Sequence, residues 1–255
     1  MIRIDKGDPP PALLRAKEKY NRINSAAYLD LKNRADYDNG TKTFKFPSSY
    51  NSKAVKKALW RAQRGKCCFT EAKFVNDEAH VEHFRPKGKV DQWPNGPSSY
   101  PGYYWLAYEW SNLFYCKSLT NSSIKRNFFP LRGRVQRNRN HLDNRIEANV
   151  LIDPSDEDPR LHIRFQNEEI KGITTRGRNT IEILELRNPQ LDEARRTKFK
   201  LLESLKEAID ILLERGMSIQ DPRIISKLEP LKYAITPEAE FSSMAKDLLE
   251  GWPHI

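Results

Sequence analysis

The sequence predicts an α+β fold, mainly helical, with two short strands and a following helix at its centre. Three observations carry this. Leu191, Ala194, Phe199, Leu202, Leu205, Ile209 and Leu212 fall mostly three and four apart, the spacing of one helix face. Strand-length runs at 79–83 and 112–116 sit in a turn-rich stretch that includes Pro94-Asn95-Gly96-Pro97. Leu161, Ile163 and Phe165 alternate with polar residues, the period of a half-buried strand.

Residues 1–60 read as an N-terminal helical region. Pro9-Pro10-Pro11 blocks a helix, and one starts at Ala12, because proline is tolerated only in a first turn. Residues 41–52 are polar, contain Pro47 and read as a loop. Ser52 is the expected cap of a short helix over 53–64, with Val55, Ala58, Leu59 and Ala62 on one face and Gly65 as its stop. Residues 61–150 hold the two central strands, then a helix from about Asn121 with Thr120 as its cap. Residues 151–255 read as mainly helical: an acidic turn at 153–159, a hairpin with a return strand over 170–173, a helical stretch over 180–215 with Gly216 at its end, and further helices. This region is the expected docking surface for a partner.

Hydrophobic residues make up 38% of the 255-residue chain and charged residues 31%, a globular composition rather than a disordered one. No apolar run is long enough to span a membrane, and none near Met1 has signal-peptide length, so the expected compartment is the cytoplasm. The net charge of +10 points to a polyanionic partner. The charge is concentrated: Lys125, Arg126, Arg132, Arg134, Arg137, Arg139 and Arg145 face only Asp143 and Glu147 between residues 121 and 149. Three cysteines, two of them adjacent, make a poor disulfide framework.

The chemistry centres on Val81-Glu82-His83-Phe84-Arg85-Pro86-Lys87. On a regular strand, Glu82 and His83 point to opposite faces; where a strand ends, the two can flank one phosphate. Phosphodiester hydrolysis calls for a hard cation, which a carboxylate holds, and a base titrating near neutrality, which imidazole supplies. Asn112, in Trp110-Ser111-Asn112-Leu113, can brace a loop by bonding backbone on both sides. Asn121 and Lys125 are four apart and share a face on a helix. Each feature alone has a bland reading as strand edge, buried polar residue or helix start.

In order, Glu82-His83, Asn112-Leu113 and Asn121 with Lys125 resemble the HNH (ββα-metal) endonuclease motif. Four longer strings carry the resemblance further: Lys66-Cys67-Cys68-Phe69-Thr70-Glu71, the string at 81–87, the stretch from Trp105 to Leu113, and Asn127-Phe128-Phe129-Pro130-Leu131. These resemble the HNH nuclease subunit of Septu-type anti-phage systems, which also accompanies some retrons. Leu151-Ile152-Asp153-Pro154 and the stretch from Gly177 to Glu182 fit the same pattern.

The resemblance implies His83 as general base, Glu82 and Asn121 as metal ligands, Asn112 as the residue that orients the base loop, and Lys125 beside the substrate phosphate. The metal implied is Mg²⁺ or Mn²⁺. Arg85, Lys87, Lys125, Arg126, Arg132 and Arg134 are the expected nucleic-acid contacts, with DNA and RNA both open. The implied partners are an ABC/SMC-like ATPase subunit and, in a retron setting, a reverse transcriptase with its msDNA; no membrane is implied. Glu82 replaces the commoner Asp or His of HNH enzymes. Threonines replace cysteines in both zinc knuckles, leaving Cys67 and Cys116, so no structural zinc is expected and the two thiols should pack as small buried groups. His80 is expected on the surface or in packing. The competing expectations are a nuclease site decayed to nucleic-acid binding, and a subunit whose main task is docking.

Overall fold

The computed structural model describes residues 1–74, 79–117, 124–133 and 136–255. Helices and small sheets mix in an α+β arrangement. Helices α1 (Pro11–Leu29) and α2 (Leu31–Asn39) form the N-terminal part, with Pro11 at the first helical position as its missing N–H permits. Residues 41–52 are irregular apart from one 3₁₀ turn at Ser48–Asn51. Helix α3 (Lys53–Ala62) is capped by Ser52, whose Oγ accepts from the Val55 N–H at 3.4 Å.

Strands β1 (Ala79–His83) and β4 (Leu113–Lys117) pair antiparallel, with His83 opposite Leu113 and His80 opposite Cys116. Between them, β2 (Val90–Gln92) and β3 (Gly96–Ser99) form a hairpin in the stretch expected to be turns. The period of two explains why Leu113, Phe114, Tyr115 and Cys116 are all buried. Leu113 and Tyr115 join Val81, Leu13, Val55 and Leu59 beneath α1 and α3. Phe114 and Cys116 face the other way, into a core with Phe84, Phe129 and Leu151. The β1–β4 pair is therefore clamped between two apolar layers.

Two expectations shift by a few residues. The strand expected at 112–116 begins at Leu113, because Trp110–Asn112 form a 3₁₀ turn. The strand expected from Leu161 begins at Ile163, after a 3₁₀ turn at Pro159–Leu161; β5 (Ile163–Gln166) then pairs with β6 (Glu169–Gly172). The helical stretch expected over 180–215 is two helices, α4 (Thr175–Ile183) and α5 (Pro189–Glu214). The break follows from local signals: Glu185 adopts a φ of +45°, and Asn188 caps α5 by accepting from the Leu191 N–H at 3.0 Å, with Pro189 next. Helix α4 lies tightly on the β5–β6 hairpin at Gly177, where a Cβ would stand 2.0 Å from the His162 carbonyl oxygen.

Helices α5, α6 (Pro222–Ala234) and α7 (Ser242–Leu248) share an apolar core that includes Leu202, Ile209, Ile224 and Leu231. This bundle is tied to the rest by buried polar contacts. The Lys66 ammonium donates to the Ala239 carbonyl at 2.9 Å, and Glu71 accepts from the Ser243 N–H at 3.1 Å. No helix among the described residues is long and apolar enough to cross a membrane. The start of the helix expected from Asn121, with Thr120 as its cap, lies outside the described residues; after one π turn at 124–125, residues 126–133 are not helical.

Candidate active site

Strand β1 ends at His83, and there the backbone turns: the Phe84 N–H bonds the Asn112 carbonyl at 2.9 Å. This termination brings Glu82 and His83, neighbours that a continuing strand would separate, to one cleft of about 250 Å³. Phe46, Lys87, Lys89, Arg126 and Asn127 also line it. The residues of the 41–52 loop help to enclose His83, with the Tyr50 ring edge-on to the imidazole at a centroid distance of 4.7 Å.

His83 is 6% exposed, and its Nε2 lies 3.0 Å from the Ala107 carbonyl oxygen. A carbonyl only accepts, so Nε2 carries the proton and Nδ1 keeps its lone pair. The Lys87 ammonium stands 3.4 Å from Nδ1 and donates towards it. Burial, then the nearby Lys87 charge, hold the imidazole well below its usual pKa despite the Ala107 bond. The ring is therefore neutral near pH 7, in the tautomer a general base requires.

Asn112 holds this loop from three sides. Its Oδ1 accepts from the Arg85 N–H at 2.7 Å, and its Nδ2 donates to the Arg85 and Leu106 carbonyls, each at 3.0 Å. The Leu106 bond fixes the segment whose next carbonyl, that of Ala107, sets the His83 tautomer. The turn before Asn112 is pinned by Lys6, which donates to the Trp110 and Ser111 carbonyls at 3.1 and 2.7 Å and is pushed down to about 7 by desolvation. Asn112→Ala removes three hydrogen bonds to backbone groups, of which the Leu106 carbonyl keeps the Glu109 N–H, at about 1 kcal/mol each. The expected result is a loss of about 3 kcal/mol in urea unfolding; an unchanged urea midpoint would contradict the bracing role.

Glu82 is 3% exposed and Lys125 is fully buried. The Lys125 ammonium sits 2.6 Å from Glu82 Oε1 and donates to the His83 carbonyl at 3.0 Å. Glu82 Oε1 lacks a hydrogen bond of good angle, so the ion contact is its polar partner. Burial raises the Glu82 carboxyl above its usual range, with Lys125 pulling against it.

The other expected contacts divide. Arg85 pairs with Glu147 at 3.4 Å and lies over the Phe129 ring, away from the cleft lining. Lys87 and Arg126 line the cleft, and Arg132 is exposed. Asn121 and Arg134 lie outside the described residues. His80 is exposed on β1. The sequence reading missed the Ala107 carbonyl, Phe46, Tyr50 and Lys89. The first is backbone, and the aromatic pair comes from a distant loop without periodicity.

Cys67 and Cys116 are buried as expected, with their sulfurs 3.5 Å apart, and Cys68 joins them. The three sulfurs lie within 4.8 Å of one another, three of the four ligands that a structural zinc holds. Burial raises the thiols, but hydrogen bonds from Cys116 and Cys68 take Cys67 well below its usual range.

No family profile matches the chain. Over 214 residues it is 30% identical to the Septu protein PtuB of Bacillus mycoides (strain KBAB4), covering 82% of this chain and 70% of that relative. Over 206 residues it is 24% identical to the Septu protein PtuB of Bacillus thuringiensis, covering 76% of this chain and 68% of that relative.

Proposed function

We propose, from the premise that this chain belongs to the Septu PtuB family, that it is a metal-dependent HNH endonuclease, the nuclease effector of an anti-phage defence system. The observation that carries the reading is the state of His83: a buried neutral imidazole, its Nε2 proton held by a carbonyl, its Nδ1 lone pair in a cleft shared with a carboxylate. In this reading Lys87 turns from Nδ1 to a phosphate oxygen, and His83 takes a proton from water at Nδ1 as that water attacks phosphorus. Asn112 holds the loop, and Lys87 and Arg126 neutralise the strand beside the scissile bond.

A hard cation fits the donor chemistry. Glu82 offers a carboxylate in the cleft lining, with Lys125 on its Oε1 at 2.6 Å, and Asn121 is its proposed companion. Mg²⁺ or Mn²⁺, when bound, neutralises charge developing on the phosphate and the leaving oxygen. Lys125 is the proposed positioning residue that holds Glu82.

The test is nicking of supercoiled DNA, and cleavage of a structured RNA, with Mg²⁺, with Mn²⁺ and with EDTA. Cleavage that needs the metal is expected; none on either substrate, with nucleic acid still bound, would favour a second reading. That reading is a decayed, non-catalytic nucleic-acid-binding subunit, and the specific observation in its favour is that Lys125 already neutralises Glu82 at 2.6 Å.

An ABC/SMC-like ATPase is the proposed partner, with a reverse transcriptase and its msDNA in a retron setting. Leu201 and Ile211 on α5 and Tyr233 on α6 are exposed, in the region proposed to dock the partner.

A further inference from the structure

The β2–β3 hairpin separates the Glu82–His83 cleft from a second one, of about 650 Å³, lined by Ser98, Tyr100, Arg137, Arg139, Arg145 and Asp38 among others. The two clefts adjoin. Lys89, in the wall of the first, donates to the Ser98 hydroxyl, in the wall of the second, at 3.2 Å. The hairpin is itself fixed to the catalytic side, since the Asp91 N–H bonds the Asn127 carbonyl at 3.0 Å and Asn127 Nδ2 donates to Asp91 at 3.2 Å.

The guanidinium groups of the second cleft are held in place by neutral acceptors, with a carboxylate beside two of them. Arg137 donates to the Tyr103 hydroxyl at 2.6 Å and to the Phe129 carbonyl at 2.7 Å. Arg139 donates to the Tyr100 carbonyl at 2.9 Å, with Asp38 at 3.7 Å. Arg145 donates to Gln136 at 3.0 Å, with Asp143 at 3.4 Å. Each guanidinium carries five N–H donors, and these contacts use only some of them. The Arg139 and Arg145 side chains are 54% and 47% exposed, so they keep donors for a ligand. Three guanidiniums against Asp38 in the lining and Asp143 beside Arg145 leave the cleft with a net positive charge, the arrangement that seats phosphates without reading sequence.

We propose that this second cleft is a strand-binding site: when the scissile phosphate lies at His83, the phosphates on one side of it pass over Lys89 and seat on Arg139 and Arg145. The inference rests on the nuclease reading and adds a direction to it. The nucleic acid leaves the catalytic cleft across the β2–β3 hairpin, and the contacts that hold it lie outside the HNH motif.

The experiment compares the full chain with the double variant Arg139→Gln/Arg145→Gln and with a control, Arg196→Gln/Lys232→Gln, which removes the same charge from α5 and α6. Binding to a long and a short fluorescent oligonucleotide is measured in EDTA across a salt series, and circular dichroism checks each fold. Losing two phosphate contacts lowers the slope of log affinity against log salt by about 0.7 per contact on a single strand and about 0.9 on a duplex. The expected result is that loss for the long oligonucleotide in the double variant, little change for the short one, and an unchanged slope in the control. An unchanged slope in the double variant, or an equal change in the control, would overturn this inference while leaving the nuclease reading intact. Wild-type protein that binds no nucleic acid would overturn both.

Discussion

Replacing His83 with alanine is expected to cut metal-dependent cleavage by a factor of about 10²–10⁴, the range contributed by a positioned general base. The fold should survive, because the lost polar contacts are one bond to the Ala107 carbonyl and the Lys87 contact at Nδ1, beside a cleft that admits water. Plasmid nicking with Mg²⁺, alongside circular dichroism on the same preparation, is the measurement. Cleavage retained at the wild-type rate would sink the assignment of His83 as base. The pH dependence gives a second handle. Burial and Lys87 hold the imidazole well below 6.5, so the base stays deprotonated below that pH. The acid limb of the rate should therefore fall below pH 6.5; a limb above it would place the proton on another group.

The second large effect is on stability. Lys125→Met leaves the Glu82 carboxylate buried without its counter-charge, and breaking a buried pair from one side costs about 3–5 kcal/mol. Glu82 and Lys125 are both almost fully inside the protein, so solvent does little to screen the loss. Urea unfolding of Lys125→Met, Glu82→Gln and the double variant closes a mutant cycle. The double variant should be less destabilised than the two singles added together, since neither charge is then stranded. A loss of under about 1 kcal/mol in the single variant would mark the pair as a screened surface contact and free Lys125 for the phosphate role that the HNH resemblance implies.

Much of the candidate site was legible in the sequence because its parts are short and local. Glu82 and His83 are adjacent, and the strand over Ala79–His83 appears where its residues predicted it. Asn112 was readable as a brace because a buried amide with donors and an acceptor has few other uses. Lys125 was legible in position but not in environment. Spacing from Asn121 suggested a shared helix face open to substrate, whereas Lys125 lies fully buried against Glu82. Burial depends on which distant segments cover a residue, and nothing within four positions of Lys125 reports that. The β2–β3 hairpin was hidden for a related reason: Gly96-Pro97-Ser98-Ser99 has turn composition and is held as a strand by Val90 and Asp91 across from it. The gap between α4 and α5 was readable in principle from Asn188-Pro189, a helix-start signal just before the apolar stripe that begins at Leu191.

The partner that fixes the imidazole proton is a peptide oxygen, and that has a consequence for how the site can drift. No change of residue type at position 107 deletes a carbonyl, so the protonation pattern of the base is insulated from point mutation there. Ala107 is fully enclosed, so what substitution can do is crowd the space and tilt the peptide plane. Selection at 107 thus acts on bulk rather than on polarity, and a smaller residue would keep the same acceptor in reach.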